Sequence, residues 1–162
     1  MAENLNMSVI LNNIRSSENV GSIFRTADAF GVKKIYLCGY TPAPLDRFNR
    51  KNTKLTKASL GAEDFVGWEK VEKLEDVVAR LKDFLIVGVE QSKDSIDYRE
   101  IKNSPFLNPN YNIALIFGNE TEGLSQEDLK LCDMVAEIPM LGKKESLNVA
   151  VSAGVVFSSL VQ

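Results

Sequence analysis

Short apolar runs alternate along the chain with segments in which apolar residues recur at helical spacing. Helices are expected over 20–30 and 73–82, and Ser125 with Asp128 has the spacing of a capping box for a further short helix. About six strands are expected, at 7–11, 34–39, 65–71, 84–89, 113–117 and 134–138. This alternation predicts an α/β fold with a mainly parallel six-stranded sheet and helices on both faces.

The C-terminal segment 138–160 predicts a helix that carries no charge from Ser146 onwards. A helix that is apolar nearly all round must be buried, either in the core or against a partner. We expect Ser146 to cap its first turn and Asn148 to lie inside that turn, where an unpaired buried amide costs about 1–3 kcal/mol. Asn148 therefore needs a hydrogen-bond partner from elsewhere in the fold.

Three loops follow the carboxyl ends of predicted strands, where parallel sheets bind their ligands. These loops span 12–19, 118–123 and 140–145. Asn19 is expected to cap the helix 20–30, and Gly31 stands where a left-handed C-terminal cap is expected. No G-x-G-x-x-G follows a strand and no G-K-[ST] is present, so neither a Rossmann site nor a P-loop is predicted. The side chains available for chemistry are Asn19, Arg25, Asn119, Glu120, Glu122, Ser146 and Asn148.

The composition fits one globular domain over 1–162, with 44% apolar and 25% charged residues. No apolar run reaches the roughly 20 residues of a membrane span, and no export signal opens the chain, so we expect a cytoplasmic protein without a membrane partner. Cys38 and Cys132 lack metal-ligand spacing and are expected to be reduced core residues. The chain has no histidine, the commonest general base and metal ligand, and no metal is predicted.

A basic stretch interrupts a chain whose net charge is −3. Before Leu60 only Asp46 opposes its cations, which are Arg47, Arg50, Lys51, Lys54 and Lys57. If the stretch is helical, the first four of these cations share one side, and such a ridge is a candidate surface for phosphate contacts. The alternative is a solvated loop or helix face.

Three segments of the chain together resemble the motifs of one known family. They read NVGSIFRTADAFG at 19–31, IFGNETEGLS at 116–125 and IPMLGKKESLNVAVSAG at 138–154. In this order and at about this spacing they resemble the SpoU (TrmH-like) branch of the SPOUT RNA methyltransferases, over nearly the whole chain. The resemblance implies a SPOUT α/β knot, in which the C-terminal segment forms a deep trefoil knot. It also implies that S-adenosyl-L-methionine binds in the knot and leaves as S-adenosyl-L-homocysteine.

The resemblance further implies a homodimer that methylates a ribose 2'-hydroxyl of tRNA or rRNA. The uncharged last helix and the helix bearing 19–30 would be the dimer surfaces. The family's catalytic and RNA-site positions fall on Asn19, Arg25, Glu120, Ser146 and Asn148. Its methyl-donor pocket falls on Gly118, Asn119, Ile138, Met140, Leu147 and Val149. RNA capture is expected from the dimer and from Arg47, Arg50, Lys51, Lys54 and Lys143.

The expected chemistry requires that both reactants be held close and that the hydroxyl lose its proton. Because a guanidinium stays protonated, we interpret Arg25 as a charged donor to the developing alkoxide, with Glu120 or a phosphate oxygen as proton acceptor. The structural alternatives are an ion pair of Arg25 with Asp28 or Glu18, and a loop charge at Glu120. Likewise, the Ser and Asn of the third motif would be only a cap and a satisfied core amide.

Two other functions are open at this point. The chain could be a non-catalytic RNA-binding or assembly module on the same scaffold, or a base methyltransferase of the wider SPOUT group. Intact Arg25, Glu120 and Asn148 argue against an inactive enzyme, and the motifs favour ribose chemistry. We expect a chain close to a minimal catalytic domain, and analogy with larger ribosomal members favours tRNA slightly.

Overall fold

The computed structural model describes residues 5–105 and 112–162 and folds them around one β-sheet. Its strands are β1 (Asn6–Asn12), β2 (Lys34–Cys38), β3 (Gly67–Val71), β4 (Leu85–Val89), β5 (Ile96–Asp97), β6 (Asn112–Phe117) and β7 (Met134–Glu137). Its α-helices are α1 (Ser17–Ala29), α2 (Thr53–Ser59), α3 (Leu74–Arg80), α4 (Gln126–Lys130) and α5 (Val149–Val161). Short 3-10 helices span Ala62–Asp64 and Tyr98–Asn103.

The sheet has the strand order β3-β2-β1-β6-β4-β7-β5, and each of these pairings is parallel. The predicted α/β class with a parallel sheet is confirmed, but the described part of the chain contains seven strands rather than six. The additional strand, β5, pairs with β7 at the sheet edge. Its two residues are too few to form an apolar run, and they lie within the polar stretch 90–112, so the sequence pattern did not predict a strand there. Residues 106–111 of that stretch lie outside the described residues.

Helices cover both faces of the sheet, as the alternation predicted. On β1, Val9 and Leu11 are fully buried in the core that contains α1 and α5. Ile10 points the other way and is fully buried in the core that contains α3. Phe117 at the end of β6 meets Phe157 of α5 edge to face, with ring centroids 6.1 Å apart. Each such burial contributes about 1.5–3 kcal/mol, so the C-terminal helix is held firmly against the sheet.

The strand order reverses direction between β1 and β6, which lie side by side. After β1 the chain continues to β2 on one side, and after β6 it continues to β7 on the other. Loops that diverge in this way leave a crevice beyond the carboxyl ends of the strands, which is where ligands bind in such sheets. The fold therefore brings the loops that follow β1, β6 and β7 to one edge.

The start of α1 differs from the prediction because a nearby serine takes the cap. Ser16 Oγ accepts a hydrogen bond from the backbone N–H of Asn19 at 3.1 Å, so the helix begins at Ser17. Asn19 is therefore not the cap. It lies in the first turn, where its side-chain amide can form hydrogen bonds with other residues. Gly31 has φ of 72°, which confirms the left-handed residue predicted after this helix.

The start of α5 also differs from the prediction. Its cap is Asn148, whose Oδ1 accepts from the N–H groups of Ala150 at 2.8 Å and Val151 at 3.3 Å. Ser146 does not cap the helix, and Asn148 is exposed rather than buried in this chain. One side of α5 is in the core, whereas Val151 on another side is 52% exposed. The uncharged helix is thus only partly covered within one copy.

The basic stretch does not form the predicted helical ridge. Asn52 caps α2 by accepting from the N–H of Leu55 at 3.2 Å, so the helix begins only at Thr53. Arg47 and its two basic neighbours before Asn52 lie in the preceding loop, while Lys54 and Lys57 lie on α2. The cations therefore share a segment and a sign of charge, but not one helix face.

Both cysteines are free, as expected. Cys38 is buried and Cys132 is half-buried. Burial raises the pKa of the Cys38 thiol to about 12 and that of Cys132 to about 11, so both are protonated thiols at neutral pH. Among the described residues, none of the helices combines the length and the apolar character that crossing a bilayer requires.

Candidate active site

A cavity of about 330 Å³ opens at the carboxyl ends of β4, β6 and β7. Small-molecule sites have volumes from about 300 to 1,000 Å³, so the cavity has the size of a ligand pocket. Most of the predicted site residues line it, namely Asn19, Gly118, Asn119, Glu120, Ile138, Met140, Ser146, Leu147, Asn148 and Val149. Three segments that are far apart in the sequence therefore form one site.

The turn 118–123 forms one wall of the cavity, and two glycines fix its shape. A Cβ atom on Gly118 would lie 2.5 Å from the carbonyl carbon of Gly123, so the two ends of the turn can approach this closely only with glycine. Gly123 has φ of 66°, and a Cβ there would meet the carboxylate of Glu90. At both positions the backbone geometry therefore favours glycine over any other residue.

Asn119 stabilises the same turn, and both polar atoms of its side chain form hydrogen bonds within the protein. Its Oδ1 accepts from the N–H groups of Thr121 and Glu122, both at 2.8 Å. Its Nδ2 donates to the carbonyl of Asn13 at 3.0 Å and to the hydroxyl of Tyr40 at 2.8 Å. The Asn119 side chain is therefore engaged within the protein, and only its backbone and surface are available to a ligand.

Glu120 joins this turn to the loop before α1. Its two carboxylate oxygens accept from the N–H groups of Arg15 and Ser16, each at 3.0 Å, and one also accepts from Asn19 Nδ2 at 3.3 Å. Partial burial raises the pKa of this carboxyl, but the hydrogen bonds outweigh that effect and hold the pKa below its usual range. A carboxylate stabilised in this way is a poor proton acceptor, so the geometry favours a positioning role for Glu120.

A directional chain of hydrogen bonds runs from Glu120 to α5. Because the carboxylate can only accept, Asn19 donates to it through Nδ2 and presents Oδ1 to Asn148 Nδ2, which donates at 3.0 Å. Asn148 then presents Oδ1 to the N–H groups of Ala150 and Val151. Asn148 thus has Asn19 as a partner although it is exposed rather than buried as predicted, and the chain links all three motif segments.

Replacing Asn148 by aspartate separates its two tasks. The aspartate would still cap α5 and would benefit from the positive end of the helix, but it cannot donate to Asn19. We expect N148D to melt above N148A, which loses the cap at about 1 kcal/mol. Adding N19A should then destabilise the wild type more than it destabilises N148D, as measured by thermal unfolding of the wild type, N19A, N148D and the double variant. Equal effects of N19A in both backgrounds would contradict the hydrogen-bond chain.

Arg25 lies outside the cavity, exposed on α1. Among the described residues no ion pair joins it to Asp28 or Glu18, which was the structural alternative for this side chain. Ser22, one turn earlier, and Thr26 line a groove between α1 and α5. Arg25 is therefore an exposed charge beside a groove rather than in the pocket of its own chain.

Several lining residues were not predicted as site residues from the sequence, among them Val89, Glu90 and Gln91. Glu90 accepts from the N–H of Leu124 at 2.9 Å and from that of Gln91 at 2.9 Å. Gln91 Nε2 donates to the carbonyl of Glu145 at 2.6 Å, which ties this loop to the third motif segment. The available signal was the end of the buried run at 84–89, since ligands bind at the carboxyl ends of parallel strands.

The charge of the cavity wall is negative. Its carboxylates come from Glu90, Glu120, Glu122 and Glu137, and the described lining residues include no lysine or arginine. Leu147, which is 39% exposed, and Val149 add apolar surface. Such a pocket suits a small ligand that combines an apolar body with a positive charge. Within the described residues, no group of three or more Cys, Asp or Glu side chains is placed to hold a metal ion.

The predicted RNA-binding side chains lie outside the cavity. Arg50 forms an ion pair with Asp46 at 2.7 Å. The hydrogen bond from the backbone N–H of Arg50, together with this pair, lowers the pKa of the Asp46 carboxyl. The other predicted members are all exposed, namely Arg47, Lys51, Lys54 and Lys143.

The profile of the SpoU rRNA Methylase family matches residues 6–158, a range that contains every motif segment described above. The chain belongs to this family. The three segments that converge on the cavity all lie within the matched range.

Proteins of known identity resemble the chain over almost its whole length. It is 34% identical to the 23S rRNA (guanosine-2'-O-)-methyltransferase RlmB of Neisseria meningitidis, over 93% of this chain and 56% of the relative. An AdoMet-bound rRNA methyltransferase from Sinorhizobium meliloti matches 96% of this chain and 55% of its own, with a TM-score of 0.81 and 27% identity. The match to the TrmH/SpoU tRNA modifying enzyme of A. aeolicus covers 96% of this chain and 74% of that enzyme's chain, with a TM-score of 0.79 and 28% identity.

The chain spans little more than half the length of the curated relatives that it matches, at 56% and 58% of two of them. The similarity therefore concerns the SpoU domain of those proteins.

Proposed function

We propose that the protein is an S-adenosyl-L-methionine-dependent RNA methyltransferase that modifies a ribose 2'-hydroxyl of tRNA or rRNA. The observation that carries the proposal is the hydrogen-bonded chain from Glu120 through Asn19 to Asn148, which unites the three motifs around one pocket. The names of the relatives point the same way, since one is a 2'-O-methyltransferase of rRNA and another was solved with AdoMet.

The pocket fits the proposed methyl donor in size and in charge. Leu147, Ile138 and Val149 would contact its apolar parts, and Gly118 allows close approach to the backbone. The carboxylates of the wall complement a cation, and this donor carries a positively charged sulfonium. When bound, it supplies an electrophilic methyl group, so no metal is needed.

The protein's own contribution is positioning and charge. The hydrogen bonds of Glu120 and Asn148 hold the motif loops in place, which reduces the barrier of a reaction between two bound partners. Arg25 would donate to the oxygen on which negative charge develops. The carboxylate of Glu120 is already committed to N–H donors, and the other proton acceptor considered is a phosphate oxygen of the RNA.

The proposal is tested by titrating the protein with S-adenosyl-L-methionine and by incubating it with labelled donor and total tRNA or rRNA. We expect binding, and label at sites that resist alkaline cleavage, because a methylated 2'-oxygen cannot attack the neighbouring phosphate. Label on a base would contradict ribose chemistry. RNA binding without donor binding would instead support a non-catalytic module.

We also propose that the active form is a homodimer joined through α1 and α5, in the cytoplasm. The groove between these helices is lined by small or apolar residues, including Ser22, Thr26, Val151 and Gly154. Arg25 lies on the same helix and outside its own pocket, so a dimer or the bound RNA must bring it to a reacting nucleotide. The knotted threading of the segment after Ile138 belongs to this proposal too, supported by the similarity to solved SpoU structures.

Introducing a charge into the proposed dimer surface should separate the two copies. Val151 is 52% exposed on α5, and burying a glutamate there without a partner is unfavourable. We expect wild-type protein to sediment as a dimer and V151E as a folded monomer. F65E is the matched control, because Phe65 is 80% exposed but lies outside α1 and α5. A dimeric V151E would contradict the proposed interface.

A further inference from the structure

The loop 45–51 presents an exposed aromatic ring beside two guanidinium groups. Phe48 is 62% exposed, and the guanidinium carbons of Arg47 and Arg50 lie 4.8 and 5.1 Å from its ring centroid. Cations at such distances are attracted to the electron-rich ring face. The ring does not contribute to either buried core, so packing does not explain its presence.

This loop is held in one shape by Asp46. One carboxylate oxygen accepts from the N–H groups of Phe48 at 2.8 Å and Arg50 at 3.0 Å, and the other accepts from the Arg50 side chain at 2.7 Å. Leu45 and Lys51 form an isolated antiparallel bridge that closes the base of the loop. The ring is therefore presented by a preorganised loop, which reduces the entropy lost when a ligand binds.

The loop is attached to the candidate active site. Asn52, directly after the loop, donates through Nδ2 to Ser17 Oγ at 3.0 Å. The residue before Ser17, Ser16, donates its N–H to Glu120 in the cavity wall. A ligand that reaches from the pocket along the start of α1 would therefore meet the loop next.

The chemistry of the loop matches an unpaired nucleotide. Stacking on aromatic side chains is the common way in which proteins hold splayed bases, and arginines beside the ring can contact the flanking phosphates. A duplex hides its base faces, so it could use the cations but not the ring. A protein partner would not need this combination of a flat ring and several exposed cations.

We propose that Phe48 is a stacking platform for an unpaired base of the RNA substrate, with Arg47 and Arg50 binding the adjacent phosphates. The inference rests on the proposed function and adds to it a substrate class. The RNA would be a loop or single-stranded segment rather than a continuous helix.

The test compares F48A and F48W with the wild type on two RNAs, a hairpin with a uridine-only loop and a fully paired duplex. We expect F48A to bind the hairpin about 5- to 150-fold more weakly, the range that corresponds to the loss of one base stack. F48W should retain hairpin affinity, and duplex affinity should be the same in all three proteins.

Salt dependence distinguishes the ring from the charges. F48A should leave the slope of log affinity against log salt unchanged, whereas R47Q should reduce it by about 0.7–0.9 because one phosphate contact is lost. Circular dichroism and donor titration would verify that each variant is folded with an intact pocket.

The stacking proposal would be overturned if F48A bound the hairpin as tightly as the wild type does, or if F48A lost hairpin and duplex affinity equally. It would also be overturned if the wild type did not bind the hairpin more tightly than the duplex. If donor binding and methyl transfer persist in these cases, only the platform fails. If the wild type does not bind the donor, the proposed function itself fails.

Discussion

Replacing Arg25 by lysine is expected to lower the rate of methyl transfer by about a hundredfold or more, while affinity for S-adenosyl-L-methionine changes less than about twofold. The reason is that a guanidinium offers several donors in a rigid plane, whereas an ammonium on a flexible stem offers a point charge. Arg25 lies outside the donor pocket, so its loss should spare donor binding. Single-turnover methylation and donor titration measure the two quantities separately.

The control for this experiment is R80K. Arg80 forms an ion pair with Glu69 at 2.9 Å and belongs to α3, which covers the opposite face of the sheet from α1. Its replacement should leave turnover unchanged. Near-normal turnover of R25K would rule out any role that depends on the guanidinium plane.

Replacing Gly118 by alanine should weaken donor binding by about tenfold or more and lower the free energy of unfolding by about 1–3 kcal/mol. The added Cβ would lie 2.5 Å from the carbonyl carbon of Gly123, which is backbone and cannot turn aside as a side chain could. The turn 118–123 must then shift, and this turn forms a wall of the pocket.

Gly142 provides a matched control, because a Cβ there meets nothing within 4 Å and its φ is not positive. G142A should bind the donor normally and should be as stable as the wild type or slightly more so. Calorimetric titration and thermal unfolding of both variants test the prediction. Normal donor binding by a folded G118A would show that the turn does not shape the site.

The sequence predicted the fold class well because the buried runs of β1, β4 and β6 are continuous and the helices between them are strongly periodic. It failed where local signals compete. Ser16 and Asn19 are both residue types that cap helices, and only the backbone conformation before α1 determines that Ser16 is the cap. Likewise, Ser146 and Asn148 both suit the cap of α5. Element boundaries depend on such choices, whereas element types do not.

For the candidate site, the motif residues were found from their resemblance to a family, but their connections were not. Asn19 and Asn148 are 129 positions apart, and nothing in their spacing indicates that they bond. Glu120 was interpreted as a possible base because its N–H donors, Arg15 and Ser16, contribute through backbone groups that carry no side-chain signature. Glu90 was missed because it is a single polar residue in a long polar stretch.

The hydrogen-bond chain through Asn19 also sets the moment in synthesis at which this site can exist. Its links span 101 and 129 positions, from α1 to the turn after β6 and to the start of α5. A polypeptide still emerging from the ribosome lacks the last of these links until α5 has left the exit tunnel. Chains in which α5 is still inside the tunnel are consequently unable to complete these hydrogen bonds.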